Sequence, residues 1–147
     1  MGRYLGLDPG ERRIGVAVSD PSGTIASPHS FVDVGPRTID DLRDLCASLD
    51  VGTIVIGLPV GLDGSEGQSA RRSRQLGDQL TEELELDIEY HDERFTTVTA
   101  EQALLEGNVS RRKRKGKRDQ VAAAVMLQGY LDGKKHAGRS RGDDIGR

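Results

Sequence analysis

The sequence predicts an α/β fold, a five-stranded mixed sheet with helices on both faces. Three observations predict it. Residues 3–31 hold three short apolar runs separated by turn signals, so hairpins come first. Beyond residue 38, stretches with helical spacing alternate with short strand-like runs. One of those runs, Thr53–Gly57, is continuously apolar and β-branched, as expected of a strand covered on both sides. Hairpins followed by strand–helix alternation give a mixed sheet between two helical layers.

Each element has a local reason. Arg3–Asp8 and Ile14–Ser19 flank Pro9-Gly10-Glu11-Arg12-Arg13, whose Pro and Gly mark a turn. Asp20-Pro21-Ser22-Gly23 is a second turn signal, and Asp20 reads as a turn residue. Ile25–Phe31 is then a third antiparallel strand, placed at a sheet edge because Pro28 cannot donate to a ladder. Thr38 is expected to cap a helix whose apolar positions are Ile39, Leu42, Leu45, Cys46 and Leu49. Thr53–Gly57 follows as the buried strand. Residues 58–67 form a loop with three glycines. Residues 69–84 are helical, with Leu76, Leu80 and Leu84 on one stripe. Ile88–His91 is a short strand, with His91 as its end residue. Helices are expected over 97–105 and 119–131.

A chain of 147 residues fits one domain. We place it at residues 1–134 and expect 135–147, rich in Gly, Arg and Asp, to be a disordered tail. Only 3% of residues are aromatic and none is Trp, so the core must be aliphatic. The same scarcity argues against nucleic-acid binding by base stacking. Cys46 stands alone, which excludes a disulfide framework or a Cys-based zinc site within the chain, and its place on an apolar stripe makes it a core residue. No apolar run approaches a membrane span, and the first residues lack a signal-peptide core. A cytoplasmic protein with no membrane partner is the expectation.

The net charge of −3 conceals segregation. Residues 38–106 carry sixteen acids and five bases. Residues 108–118 carry seven bases, Arg111, Arg112, Lys113, Arg114, Lys115, Lys117 and Arg118, and no acid. A like-charged block between two helices reads as a phosphate-binding arm; the plainer alternative is a solvated loop. Arg71, Arg72 and Arg74 form a smaller cluster that could grip flanking phosphates.

Acids stand at strand ends. Asp8 ends the first strand, Asp92 and Glu93 end the last, and Asp119 opens the final helix. Ligand sites in sheets with parallel strands lie at the carboxyl ends of strands. Clustered carboxylates repel unless a cation neutralises them, and Mg²⁺ or Mn²⁺ takes such oxygen ligands. Each acid also has a plainer reading. Asp8 could hold a turn, Asp119 could cap a helix, and Asp92-Glu93-Arg94 could be surface charge.

Four ordered segments together carry a resemblance. They are Leu7-Asp8-Pro9-Gly10-Glu11-Arg12-Arg13-Ile14-Gly15 continuing to Asp20, Val55-Ile56-Gly57-Leu58-Pro59 with Asp63-Gly64-Ser65, Asp92-Glu93-Arg94-Phe95-Thr96-Thr97, and Lys117–Asp119 followed by Ala122-Ala123. The chain resembles the YqgF/RuvX family of RNase H-like nucleases from residue 1 to about 133. That resemblance implies an RNase H-like fold and a metal-dependent endonuclease. Its substrate would be structured RNA, the 5′ end of pre-16S rRNA in ribosome maturation, or else a Holliday junction or other branched DNA. It implies an acidic Mg²⁺ or Mn²⁺ site at Asp8, Glu93 and Asp119, supported by Arg94 and Thr97. Gly10 and Gly15 would allow close approach of backbone or substrate. Many RNase H-like nucleases carry an acid at the end of the fourth strand. Here Gly57-Leu58-Pro59 stands there, so Glu93 would have to substitute, which leaves one metal or two open. A resolvase cutting two strands symmetrically would be a homodimer.

Two other classes compete. A non-catalytic RNA-binding subunit would use the basic loop and keep the acids as structure. An actin-like ATPase shares an acid-then-glycine hairpin, but it needs a duplicated domain, and this chain is too short for two.

Overall fold

The structure is a computed structural model that describes residues 2–61, 63–95 and 121–134. The predicted helix over 97–105, the basic segment 111–118, Thr97, Asp119 and the tail lie outside them.

Five strands form one mixed sheet in the order β3-β2-β1-β4-β5. They are β1 (Arg3–Pro9), β2 (Arg13–Ser19), β3 (Ala26–Asp33), β4 (Val51–Leu58) and β5 (Asp87–Asp92). The first three are an antiparallel meander. β4 pairs parallel to β1, and β5 parallel to β4. As Pro28 requires, β3 is an edge strand, and its register with β2 slips between Val16 and Ala17, where Pro28 pairs.

Helices α1 (Thr38–Ser48) and α2 (Gln68–Glu83) cover one face. Leu42 and Cys46 from α1, and Leu76 and Leu80 from α2, pack on Leu5, Leu7, Ile54 and Ile56. A third helix, α3 (residues 121–134), covers the other face. Its Ala123, Ala124, Met126, Leu127 and Leu131 pack on Ala17 and Val55. The core is aliphatic on both sides, and Cys46 is buried within it. Gly6 brings α3 close, because a Cβ there would lie 2.8 Å from Leu127 Cβ.

One expectation is corrected. Thr38 is the first residue of α1 rather than its cap; Arg37 takes that position, with no side-chain cap bond. The Thr38 hydroxyl instead accepts the Gly35 N–H at 2.8 Å and lies 2.9 Å from both the Asp33 and Gly35 carbonyls. The turn from β3 into α1 takes the hydroxyl first. Asp40 and Asp41 in the first turn complement the helix dipole.

Asp20 is the turn residue expected. Its carboxylate accepts the N–H groups of Thr24 at 2.8 Å and Ile25 at 3.0 Å, and the Ser22 hydroxyl at 2.5 Å. These bonds, led by that of Ile25, hold its pKa down to about 2. Among the described residues no helix is long and apolar enough to cross a membrane.

Candidate active site

Strand alternation decides which side chains share a face. On β1, Leu5 and Leu7 point toward α1 and α2, so Gly6 and Asp8 face α3. On β4, Ile54 and Ile56 point toward α1 and α2, while Val55 and Gly57 face α3. On β5, Ile88 and Tyr90 take the α2 side. Glu89 bonds Tyr130 of α3, and the His91 ring stands edge-on to it at 6.2 Å. Asp8 and Gly57 therefore lie side by side at the carboxyl ends of parallel strands, one residue past the Leu7–Ile56 pair.

Glu93 follows β5 in a 3-10 turn, Glu93–Phe95, and reaches back over β4. A Cβ on residue 57 would lie 2.9 Å from Glu93 Oε1 and 3.2 Å from Met126 Cγ. The missing side chain of Gly57 is thus the space the Glu93 carboxylate fills. Glu93 is half-buried there, and its pKa is raised, first by burial and then by Asp92. A carboxylate penalised in this way gains from a nearby cation.

The charges of Asp92-Glu93-Arg94 do not act as one surface cluster. Asp92 accepts the Arg94 backbone N–H at 2.9 Å and the Arg94 guanidinium at 2.6–3.1 Å. This pair lies toward the glycine loop, where Asp63 also faces Arg94. Glu93 alone turns toward Gly57. Arg94 thus holds the segment in place through Asp92. Gly10 closes the turn after Asp8: its N–H donates to the Arg13 carbonyl at 2.9 Å, and a Cβ there would sit 2.7 Å from that oxygen. The close approach at Gly10 is therefore to its own turn. Gly15 is buried and pairs with Asp8.

Helix α3 runs antiparallel to β1. Met126 sits at Gly57, Leu127 at Gly6, and Lys134 Nζ donates to the Tyr4 hydroxyl at 2.9 Å. Its first described turn is therefore at the Asp8–Gly57 end. Residue 121 lies about 7.5 Å further along than Met126. Asp119 precedes that turn by two residues in the sequence and lies outside the described residues, as does Thr97.

Among the described residues no three metal-ligating side chains cluster. Asp8 and Glu93 supply two hard oxygen donors on one face, a donor set suited to Mg²⁺ or Mn²⁺ once a further ligand joins. A cavity of about 830 Å³ lies on the other face, between the Pro9–Glu11 turn, α1 and α2. Its lining takes in that turn but neither Asp8 nor Glu93. Of the arginines proposed to grip phosphate, Arg71 is exposed, Arg72 lies 3.7 Å from Glu11, and Arg74 pairs with Glu66 at 2.5 and 2.8 Å.

The expectation that Glu93 stands in for an acid missing at Gly57-Leu58-Pro59 fits this geometry. What sequence reasoning missed is the packing: the Glu93 carboxylate rests in the space that a side chain on Gly57 would take.

Comparison with known proteins agrees with this architecture. Thermus thermophilus RuvC in complex with a Holliday junction substrate superposes with a TM-score of 0.57 at 14% identity, covering 90% of this chain and 96% of that one. The fowlpox virus resolvase bound to Holliday junction DNA gives 0.54 at 7% identity, covering 89% and 97%. At these identities the likeness is one of fold. Closer in sequence, a Clostridium botulinum protein named "Putative pre-16S rRNA nuclease" is 44% identical over 132 residues, 88% of this chain and 96% of the relative. An Anaeromyxobacter protein of the same name is 46% identical over 138 residues, 92% and 99%. The family model described as "RuvX: Holliday junction resolvase" matches residues 2–133, and the chain belongs to the RuvX family.

Proposed function

We propose that the chain is a metal-dependent endonuclease that hydrolyses phosphodiester bonds of structured RNA, trimming the 5′ end of pre-16S rRNA. The observation that supports this is that Gly57, beside Asp8 on the α3 face of the sheet, receives the Glu93 carboxylate, at the end of the sheet where the first described turn of α3 lies. Relatives of more than 40% identity bear the name of a pre-16S rRNA nuclease, which supports the substrate.

Asp8, Glu93 and Asp119 would hold Mg²⁺ or Mn²⁺. The bound ion supplies positive charge for activating water and for stabilising the departing oxygen. The chain's own residues set the stage. Gly57 leaves the volume in which Glu93 rests, and Met126 shields one side of it. The half-buried setting strengthens the pull of Glu93 on a cation. Arg94 is occupied by Asp92, so its charge does not compete for Glu93. Arg111, Arg112, Lys113, Arg114, Lys115, Lys117 and Arg118 would bind the phosphates on either side of the cut.

A second reading is a branched-DNA resolvase acting as a homodimer, supported by the family's description. Cleavage of a precursor rRNA fragment and a four-way DNA junction side by side, with Mg²⁺ and Mn²⁺, separates the two. Preferential cutting of the RNA is expected. Cutting of the junction alone would favour the resolvase, and cutting of neither would remove the nuclease.

A further inference from the structure

We propose that one turn of α2, Arg72-Ser73-Arg74, braces from behind the strand ends that carry the candidate site, with Ser73 as the central positioning residue. The inference rests on the metal-site reading above and deepens it.

Ser73 is 1% exposed, one of only three polar residues buried among those described. Its Oγ–H donates to the Gly57 carbonyl at 2.8 Å. Gly57 is therefore fixed in two directions. In its own strand plane it is tied to α2, and on the opposite face it receives Glu93 Oε1. Any shift of the Gly57 backbone moves the surface on which the Glu93 carboxylate rests.

The residues on either side reach the neighbouring strands. Arg72 Nη2 lies 3.7 Å from Glu11 Oε1, in the turn three residues after Asp8. Arg74 has its guanidinium 5.3 Å above the Tyr90 ring, in β5 three residues before Glu93. The Tyr90 hydroxyl donates to the Arg74 carbonyl at 3.4 Å. Tyr90 can lie this close only because residue 77 is glycine, since a Cβ there would meet the hydroxyl oxygen at 1.9 Å. Arg74 also holds Glu66 at the end of the glycine loop.

Three consecutive residues thus reach the turn after β1, the end of β4 and Tyr90 of β5 from the face opposite the acids. Solvent screens the Arg72–Glu11 pair, so its part is small. The buried Ser73 bond and the packed Tyr90 are the stronger ties. A metal site needs its ligands oriented by partners outside the ligand set, and this turn supplies such partners through the backbone. Arg72 and Arg74 are then positioning residues, while exposed Arg71 stays available to phosphate.

The test is Mn²⁺ binding by titration calorimetry on the full chain, with thermal unfolding in parallel. Ser73→Ala is expected to weaken Mn²⁺ binding about tenfold, and to lower kcat while KM for nucleic acid holds. Arg74→Leu, at an exposed position, is expected to weaken Mn²⁺ binding about threefold. Leu80→Ala, in the core of the same helix, should lower the melting temperature and leave Mn²⁺ affinity unchanged. In a Glu93→Gln background Ser73→Ala should cost nothing more, because it acts through Glu93. Wild-type Mn²⁺ affinity in both Ser73→Ala and Arg74→Leu would overturn the brace while leaving the metal site standing. If Ser73→Ala does not fold, Arg74→Leu decides alone. A wild type that binds no Mn²⁺ would overturn the site and the brace together.

Discussion

The Glu93 carboxylate stands where a side chain on Gly57 would stand. A Cβ at Gly57 would lie 2.9 Å from Glu93 Oε1, closer than carbon and oxygen tolerate. An acid delivered from beyond β5 therefore lies over the carboxyl end of β4, and Gly57, the residue before the last of that strand, leaves the room for it.

Gly57→Ala should separate activity from stability. The groups it meets, Glu93 Oε1 and Met126 Cγ, both belong to flexible side chains that can swing away. Loss of glycine's backbone freedom in the unfolded chain offsets part of the crowding. Stability is expected to change by about 1 kcal/mol or less. Cleavage should fall by about tenfold or more, because the displaced carboxylate no longer aims at its ligand position. Denaturant unfolding and single-turnover cleavage on the same preparation check both halves.

Neutralising Arg111, Arg112, Lys113, Arg114 and Lys115 together should weaken nucleic-acid binding and flatten its salt dependence. Every phosphate that goes unneutralised takes about 0.7–0.9 off the slope of log K against log salt. Arg72→Gln should leave that slope unchanged, since Arg72 faces Glu11 within the fold. Binding isotherms over a range of salt concentrations measure the slopes. An unaltered slope in the five-fold variant would make the basic segment a bystander.

Asp20 should give the fold a specific acid sensitivity. Its carboxyl is held at about 2 in the folded chain, against an ordinary value of 3.8. A depressed carboxylate contributes stability that is fully present above the unfolded value and is lost as pH falls through the folded one. The melting-temperature gap between wild type and Asp20→Asn should be constant above about pH 5 and shrink steadily as pH falls to about 2. The group is solvent-screened, so the gap should be small. A gap undiminished at about pH 2 would assign it to shape rather than charge.

Much of the fold was legible because its signals are local. Pro28 marked the edge strand, the β-branched run at 53–57 marked an interior strand covered on both faces, and the Leu76–Leu80 spacing marked the buried stripe of α2. Thr38 misled because a hydroxyl at a helix start can serve either the helix or the preceding turn. Local sequence does not rank those two bonds. That Asp8 and Glu93 belong to one end of the sheet was legible from their places at strand ends, although 85 residues separate them. The cradle at Gly57 depends on a side chain arriving from another strand, which no spacing encodes. Ser73 gave a weak sign, a polar residue on the stripe that continues through Leu76 and Leu80, but its partner on β4 could not be named.

The most direct test of the acidic site is single-turnover cleavage of a precursor rRNA fragment with Mg²⁺ or Mn²⁺ by wild type, Asp8→Asn and Glu93→Gln. Each variant should fold as wild type, keep its affinity for the RNA and cut more than about a hundredfold slower, beyond the loss expected for a group outside the ligand set. Cleavage at the wild-type rate by either variant in a nuclease-free preparation would contradict the site.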